Sequence, residues 1–175
     1  MSDLAKLLVL GGARSGKSRY AQGRCETVPG PLTYIATAQA FDAEMADRIA
    51  LHQADRDARW RTMEAPLDLP EAIGRVEEKG GAILVDCLTL WLSNLLLADE
   101  DISERRGALI NAVEASKVPV VLVANEVGLS IVPDNALARR FRDEAGWLNQ
   151  RVAAICDSVT LVAAGLPLQL KGGNI

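Results

Sequence analysis

The sequence predicts an α/β fold, a mostly parallel sheet with helices on both faces. Three observations predict it. Short, continuously apolar runs recur along the chain, as in Leu7-Leu8-Val9-Leu10 and Ala82-Ile83-Leu84-Val85, and they read as strands buried on both faces. Stretches with helical spacing alternate with them, the pattern of a parallel sheet joined by crossover helices. The first run also passes directly into Gly11-Gly12-Ala13-Arg14-Ser15-Gly16-Lys17-Ser18, a glycine-rich turn poised to open a helix.

The elements follow in order. Leu7–Leu10 is the first strand and Lys17–Glu26 the first helix, closed by Pro29-Gly30-Pro31. Leu32–Ala36 is the second strand. Asp42–Gln53 is helical, with Met45, Ile49 and His52 on one spacing. Trp60–Met63 is a short strand. Leu69–Glu78 is a helix that carries Pro70 in its first turn and ends before Gly80-Gly81. Ala82–Asp86 is a buried strand ending in an acid. Leu88–Leu97 and Ser103–Ser116 are helices, the second capped by Ser103. Val118–Ala124 is another buried strand. Asn135–Ile155 is a long helix, since Phe141, Ala145, Leu148, Val152 and Ile155 fall on one face. Val159–Ala163 and Pro167–Leu170 are late strands. No repeat or linker interrupts the 175 residues, which read as one domain, 1–175.

Composition narrows the function. The chain is 49% hydrophobic and 24% charged, as expected of a globular protein with a full core. A net charge of −4 gives no general attraction to nucleic acid or to an anionic membrane. Cys25, Cys87 and Cys156 are odd in number and widely spaced, which fits neither a zinc site nor a disulfide frame. They read as small buried residues in a reducing compartment. The first apolar run is too short for a signal peptide, and Leu88–Ala98 is too short to span a bilayer. A cytoplasmic location is the expectation.

The segment Gly11–Ser18 fits G-x-x-x-x-G-K-[ST]. Backbone N–H groups of such a loop turn inward around the phosphates of a nucleoside triphosphate. Lys17 reaches the β- and γ-phosphates, and the Ser18 hydroxyl is a magnesium ligand. The motif fixes a nucleotide but not a reaction. Ligands of parallel sheets sit at the carboxyl ends of the strands. The loop, the Ala36-Thr37-Ala38-Gln39 turn, Asp86 and Asn125-Glu126 all follow strands and should gather at one edge.

Asp86 ends its strand where a phosphate-loop enzyme keeps its second acid, holding magnesium near Ser18; the alternative is a cap for the helix at Leu88. His52 is the only histidine, with Arg48, Arg56 and Arg59 around it in sequence. Neighbouring cations lower an imidazole pKa, and a neutral imidazole can attack an α-phosphorus and release pyrophosphate; the alternative is a solvated basic face. Asn125-Glu126-Val127-Gly128 either contacts substrate or closes the strand. Arg139, Arg140 and Arg142 either meet phosphate or a neighbouring subunit, or form a solvated face.

Taken together, these segments resemble one family. The residues that carry the resemblance are GGARSGKS, Tyr34-Ile35-Ala36-Thr37-Ala38-Gln39, Glu44-Met45 with Arg48-Ile49 and His52, and Trp60-Arg61-Thr62 with Glu64. Asp86-Cys87-Leu88-Thr89, Asn125-Glu126-Val127-Gly128 with Ile131-Val132-Pro133, and Phe141-Arg142-Asp143 with Asn149-Gln150 extend it nearly end to end. The family is adenosylcobinamide kinase / adenosylcobinamide-phosphate guanylyltransferase. The resemblance implies a RecA-like P-loop NTPase sheet, a homotrimer and two reactions. In the first, ATP or GTP phosphorylates the aminopropanol hydroxyl of adenosylcobinamide. In the second, His52 takes GMP from GTP and passes it to that phosphate. It further implies nucleotide contacts at Gly11, Gly12, Ala13, Arg14, Ser15, Gly16, Lys17, Ser18 and Arg19, then at Thr37, Ala38, Gln39, Asp55, Arg56, Glu64 and Asp86, with magnesium at Ser18 and Asp86. Arg56-Asp57 stands where the family often has Arg-Pro, which leaves that loop less rigid and removes no chemical group. Asp86 stands where some relatives have Glu, a contact shorter by about one methylene.

Overall fold

The computed structural model describes residues 5–38, 57–76 and 81–172. Seven strands form one sheet in the order β3-β2-β4-β5-β1-β6-β7. They are β1 (Lys6–Gly11), β2 (Leu32–Ala36), β3 (Trp60–Glu64), β4 (Ala82–Asp86), β5 (Val120–Asn125), β6 (Ser158–Ala163) and β7 (Leu166–Lys171). All pairings are parallel except β6 with β7, which is an antiparallel hairpin. The described helices are α1 (Lys17–Glu26), α2 (Leu69–Gly74), α3 (Leu88–Leu97), α4 (Ile102–Ala115) and α5 (Ala136–Ile155). The helix expected over Asp42–Gln53 lies outside the described residues.

The central strands are apolar on both faces because both faces are covered. Leu7, Val9, Leu84, Val121 and Val123 pack with Ala21 and Cys25 of α1. Leu8, Ile83, Val85, Val120 and Leu122 point the other way, against Leu69, Trp91, Leu95, Leu109 and Val152 of the remaining helices. Successive strand residues alternate between the two layers, so a strand between two helix layers needs no polar position.

Several boundaries differ from the sequence reading, most by a single residue, and three have a clear local cause. Asp101 caps α4, accepting from the Glu104 N–H at 3.0 Å; Ser103 already lies inside the helix. An aspartate three residues before a glutamate satisfies the first turn better than a serine one position in. Strand β5 begins at Val120 rather than Val118, because Pro119 has no N–H to give the ladder. Helix α2 ends at Gly74, where the Arg75 N–H closes the last turn on Glu71 and Ala72 carbonyls.

Gly81 shows how tightly β4 is entered. Its φ is +86°, and a Cβ there would collide with the Pro31 carbonyl. Gly81→Ala is expected to destabilise the chain by about 3 kcal/mol, combining a left-handed backbone with a backbone clash. A urea melt with unchanged slope and lowered midpoint measures it.

All three cysteines are free and buried. Burial pushes the Cys25 and Cys156 thiols up to about 12. Cys87 rises to about 11, from burial and the adjacent Asp86 carboxylate, with Lys17 pulling the other way. Thiols held this high and this deep should not react with a disulfide reagent at pH 8 in the native chain, and all should react in denaturant. Unfolding lets them ionise near the ordinary value of 9.0. Stability should therefore fall as pH rises from about 9 toward 12, because only the unfolded chain loses those protons there.

Candidate active site

The loop between β1 and α1 is built for an anion. Gly16 occupies the N-cap of α1 with φ 95°, no side chain caps the helix, and no acid sits in its first turn. Among the described residues the first N–H groups of α1 therefore have no side-chain cap, and they face the loop. Gly11 is fixed by crowding, since a Cβ there would meet Ser15 Oγ and stand 2.6 Å from the Val162 carbonyl. Arg14 takes φ 55°, and Ser15 N–H bonds the Gly12 carbonyl at 3.3 Å, which curls the loop. Gly12, Ala13, Arg14, Gly16 and Arg19 are exposed; Lys17 and Ser18 are half-buried. Ser15 is buried, and among the described residues its hydroxyl has no hydrogen-bond partner. Lys17 Nζ rests on the Gly12 carbonyl at 3.1 Å, from which it can swing to a phosphate.

The strand ends converge as the topology requires. Ala36 lies in register with both Glu64 and Asp86, and Gly11 with Asn125. Asp86 is half-buried at the end of β4. Cys87 is the N-cap of α3 and makes no side-chain cap, so Asp86 does not serve as that cap. Strand β5 links β1 to β4, with Gly11 in register with Asn125 and Asp86 with Val123, so the loop and the Asp86-Cys87 turn lie at the same edge of the sheet. Glu64 is exposed at the end of β3, and Ala38 is half-buried beyond β2.

Thr37 is wholly buried. Its hydroxyl donates to the Cys87 carbonyl at 2.7 Å and accepts from the Cys87 N–H at 2.8 Å. Asn94 Nδ2 donates to the Thr37 carbonyl at 2.8 Å. Thr37 thus fastens the β2 turn to the β4 turn and sets where Ala38 and Asp86 stand.

On the other side, Glu126 N–H donates to the Gly11 carbonyl at 3.1 Å, and Thr89 Oγ1 accepts from the Asn125 N–H at 2.7 Å. Glu126 Oε1 accepts from the Gly128 N–H at 2.6 Å, so this segment closes its strand and braces the loop. Arg139 donates to the Pro133 and Asp134 carbonyls, Arg142 pairs with Asp143 at 3.0 Å, and Arg140 is exposed. That favours a solvated face for the arginine cluster. His52, Gln39, Asp55 and Arg56 lie outside the described residues.

Sequence reasoning missed two things. Thr89 and Asn94 brace the turns from α3, and nothing in their spacing signals it. The turn between β6 and β7 touches the loop, Gly165 N–H donating to the Ser15 carbonyl at 2.8 Å.

Comparison with known proteins now bears on this geometry. A family model described as Cobinamide kinase / cobinamide phosphate guanyltransferase matches residues 7–170. The chain belongs to that family. It is 50% identical over 167 residues to the Bifunctional adenosylcobalamin biosynthesis protein CobP of Pseudomonas aeruginosa, covering 94% of this chain and 96% of the relative. It is 43% identical over 180 residues to the Bifunctional adenosylcobalamin biosynthesis protein CobU of Salmonella typhimurium, covering 94% and 99%. The chain is thus an enzyme of the kinase and guanylyltransferase family of cobalamin biosynthesis. Distant structures show the fold alone. A Pyrococcus horikoshii OT3 protein, PH0250, aligns with TM-score 0.56 and 9% identity over 97% of this chain and 87% of its own. An ATPase from the type III secretion system of pathogenic bacteria aligns with TM-score 0.51 and 12% identity, over 94% and 56%. The α/β P-loop NTPase fold expected from the sequence is the fold found. Among the described residues no helix is long and apolar enough to cross a membrane.

Proposed function

We propose that this chain phosphorylates adenosylcobinamide and then guanylylates the product through His52. The observation that carries the reading is the uncapped phosphate loop at the same sheet edge as Asp86, in a chain related end to end to bifunctional enzymes. In the first step the aminopropanol hydroxyl oxygen bonds to the γ-phosphorus of ATP or GTP. The bond from that phosphorus to the β–γ bridging oxygen breaks, the nucleoside diphosphate leaves, and the hydroxyl proton passes to solvent. Lys17 and the N–H groups of α1 hold charge that grows on the phosphate oxygens. In the second step the His52 imidazole bonds to the α-phosphorus of GTP and pyrophosphate leaves. A phosphate oxygen of adenosylcobinamide phosphate then displaces the imidazole.

Ser18 and Asp86 fit magnesium. They offer hard oxygen donors at adjoining turns, and a nucleotide-bound magnesium needs only one or two protein ligands besides phosphates and water. Among the described residues no cluster of three or more His, Cys, Asp or Glu could hold a metal by itself. The ion would neutralise phosphate charge when bound. Ser18→Ala and Asp86→Ala should each raise the magnesium concentration needed for half-maximal turnover by about tenfold. An unchanged magnesium titration in both variants would leave Asp86 as a ribose contact or a brace for the turn.

The remaining nucleotide contacts in this reading are Gly11 to Arg19, Ala38, Gln39, Asp55, Arg56 and Glu64, with Thr37 acting through the turn it fastens. The enzyme works in the cytoplasm as a homotrimer. Leu129, Ile131 and Val132 are exposed by 89, 94 and 64%, which supports burial between copies at that loop. The deciding experiment is incubation with GTP labelled at the α-phosphate. The expected product carries one GMP per chain in an acid-labile, base-stable bond. A chain that phosphorylates adenosylcobinamide but never takes label is a kinase only.

A further inference from the structure

The phosphate loop has two flanks. On one stands the Asp86-Cys87 turn of β4. On the other the turn of the β6–β7 hairpin clasps the loop. Gly165 N–H donates to the Ser15 carbonyl at 2.8 Å, and a Cβ on Gly16 would stand only 3.3 Å from Gly165 Cα. Ala164 and Gly165 take φ 52° and 79°, a tight two-residue turn with both residues left-handed. The hairpin tip is therefore held to the loop by backbone on backbone. Ala163, Ala164, Gly165 and Leu166 are all exposed, Leu166 by 71%. A rigid, uncharged, apolar surface thus borders the phosphate loop, left open among the described residues.

A bound triphosphate has a direction. The groups assigned to its outer phosphates are Lys17 and the Ser18–Asp86 pair, and Asp86 lies on the β4 side of the loop. In the order β4-β5-β1-β6-β7, a phosphate chain crossing the loop from that side carries its inner phosphate toward β6. We propose that the turn Ala163–Leu166 is the platform for the purine nucleoside of the phosphoryl donor in the kinase step. This rests on the kinase reading above. Glu64 and Ala38 lie on the opposite flank. From β3 to β6 is five strand spacings, about 24 Å, too far for one nucleoside to touch both. Contacts on the β2–β3 flank then serve the GTP of the second step. One phosphate loop accepts two nucleotides lying in opposite directions, one presenting its γ-phosphorus and the other its α-phosphorus toward the substrate.

Photolabelling tests this. Trypsin would release residues 152–171 as one peptide and residues 62–75 as another, since no Lys or Arg interrupts either before its last residue. 8-Azido-ATP with magnesium is expected to label peptide 152–171, and ATP to prevent it. Label in 62–75, or anywhere else, overturns the assignment. Leu166→Asn should raise KM for ATP about fivefold or more, while inhibition by inorganic tripolyphosphate, which has no nucleoside, shifts less than about twofold. Equal losses for both would mean that the hairpin merely holds the loop, and would also overturn it. A parallel assay of phosphoryl transfer to adenosylcobinamide separates the two ideas. If the wild-type chain transfers nothing, the kinase reading fails; if it transfers but labels elsewhere, only the platform fails.

Discussion

Lys17→Ala is expected to lower phosphorylation of adenosylcobinamide and guanylylation of the chain by about 10² or more each. Both reactions move negative charge onto phosphate oxygens within one loop. Lys17 is placed for this: half-buried, on a helix with no other cap, resting on a carbonyl of the loop itself. The contact with Gly12 is internal and exposed, so its loss should cost the fold little. The measurement is kcat/KM for each half-reaction alongside a thermal melt. Should kinase activity survive intact in a folded variant, the γ-phosphoryl donor binds elsewhere. Loss of one reaction alone would show that the two triphosphates do not share the lysine.

His52→Ala is expected to abolish the GMP adduct and the second reaction while retaining kinase activity. In guanylyl transfer the imidazole is the attacking group, and no other histidine exists to replace it. In phosphoryl transfer the substrate hydroxyl attacks, and a histidine could at most orient it. Intact-mass spectrometry after incubation with GTP reads the adduct; phosphorylation of adenosylcobinamide reads the first step on the same sample. If folded His52→Ala still takes up one GMP per chain, the nucleophile is another residue, and a lysine becomes the leading candidate.

Much of the fold was legible locally. Lys17–Glu26, Leu32–Ala36, Ala82–Asp86 and Leu88–Leu97 have the bounds that periodicity and glycine or proline punctuation assign. Misplaced boundaries involved local bonding with near-equal choices, as between Asp101 and Ser103 for one cap. The candidate site was legible where a motif is contiguous. Gly11–Ser18 encodes its own turn, because only glycine can stand against Val162 at one end and adopt a left-handed φ at the other.

The sequence by itself determined the alternation of strands and helices, the phosphate loop and its lysine, and a lone histidine with cations about it. Tertiary structure alone decided which strand ends meet. Thr37 is one residue of a polar turn in sequence, and pairing β2 with β4 turns its hydroxyl onto Cys87. Gly165 falls between two late strands in the sequence, and placing β6 beside β1 brings it against Ser15 and Gly16. Local patterns report how a segment bends and which face is apolar. The order of strands in a sheet is settled by packing between segments more than a hundred residues apart, and no short pattern records it.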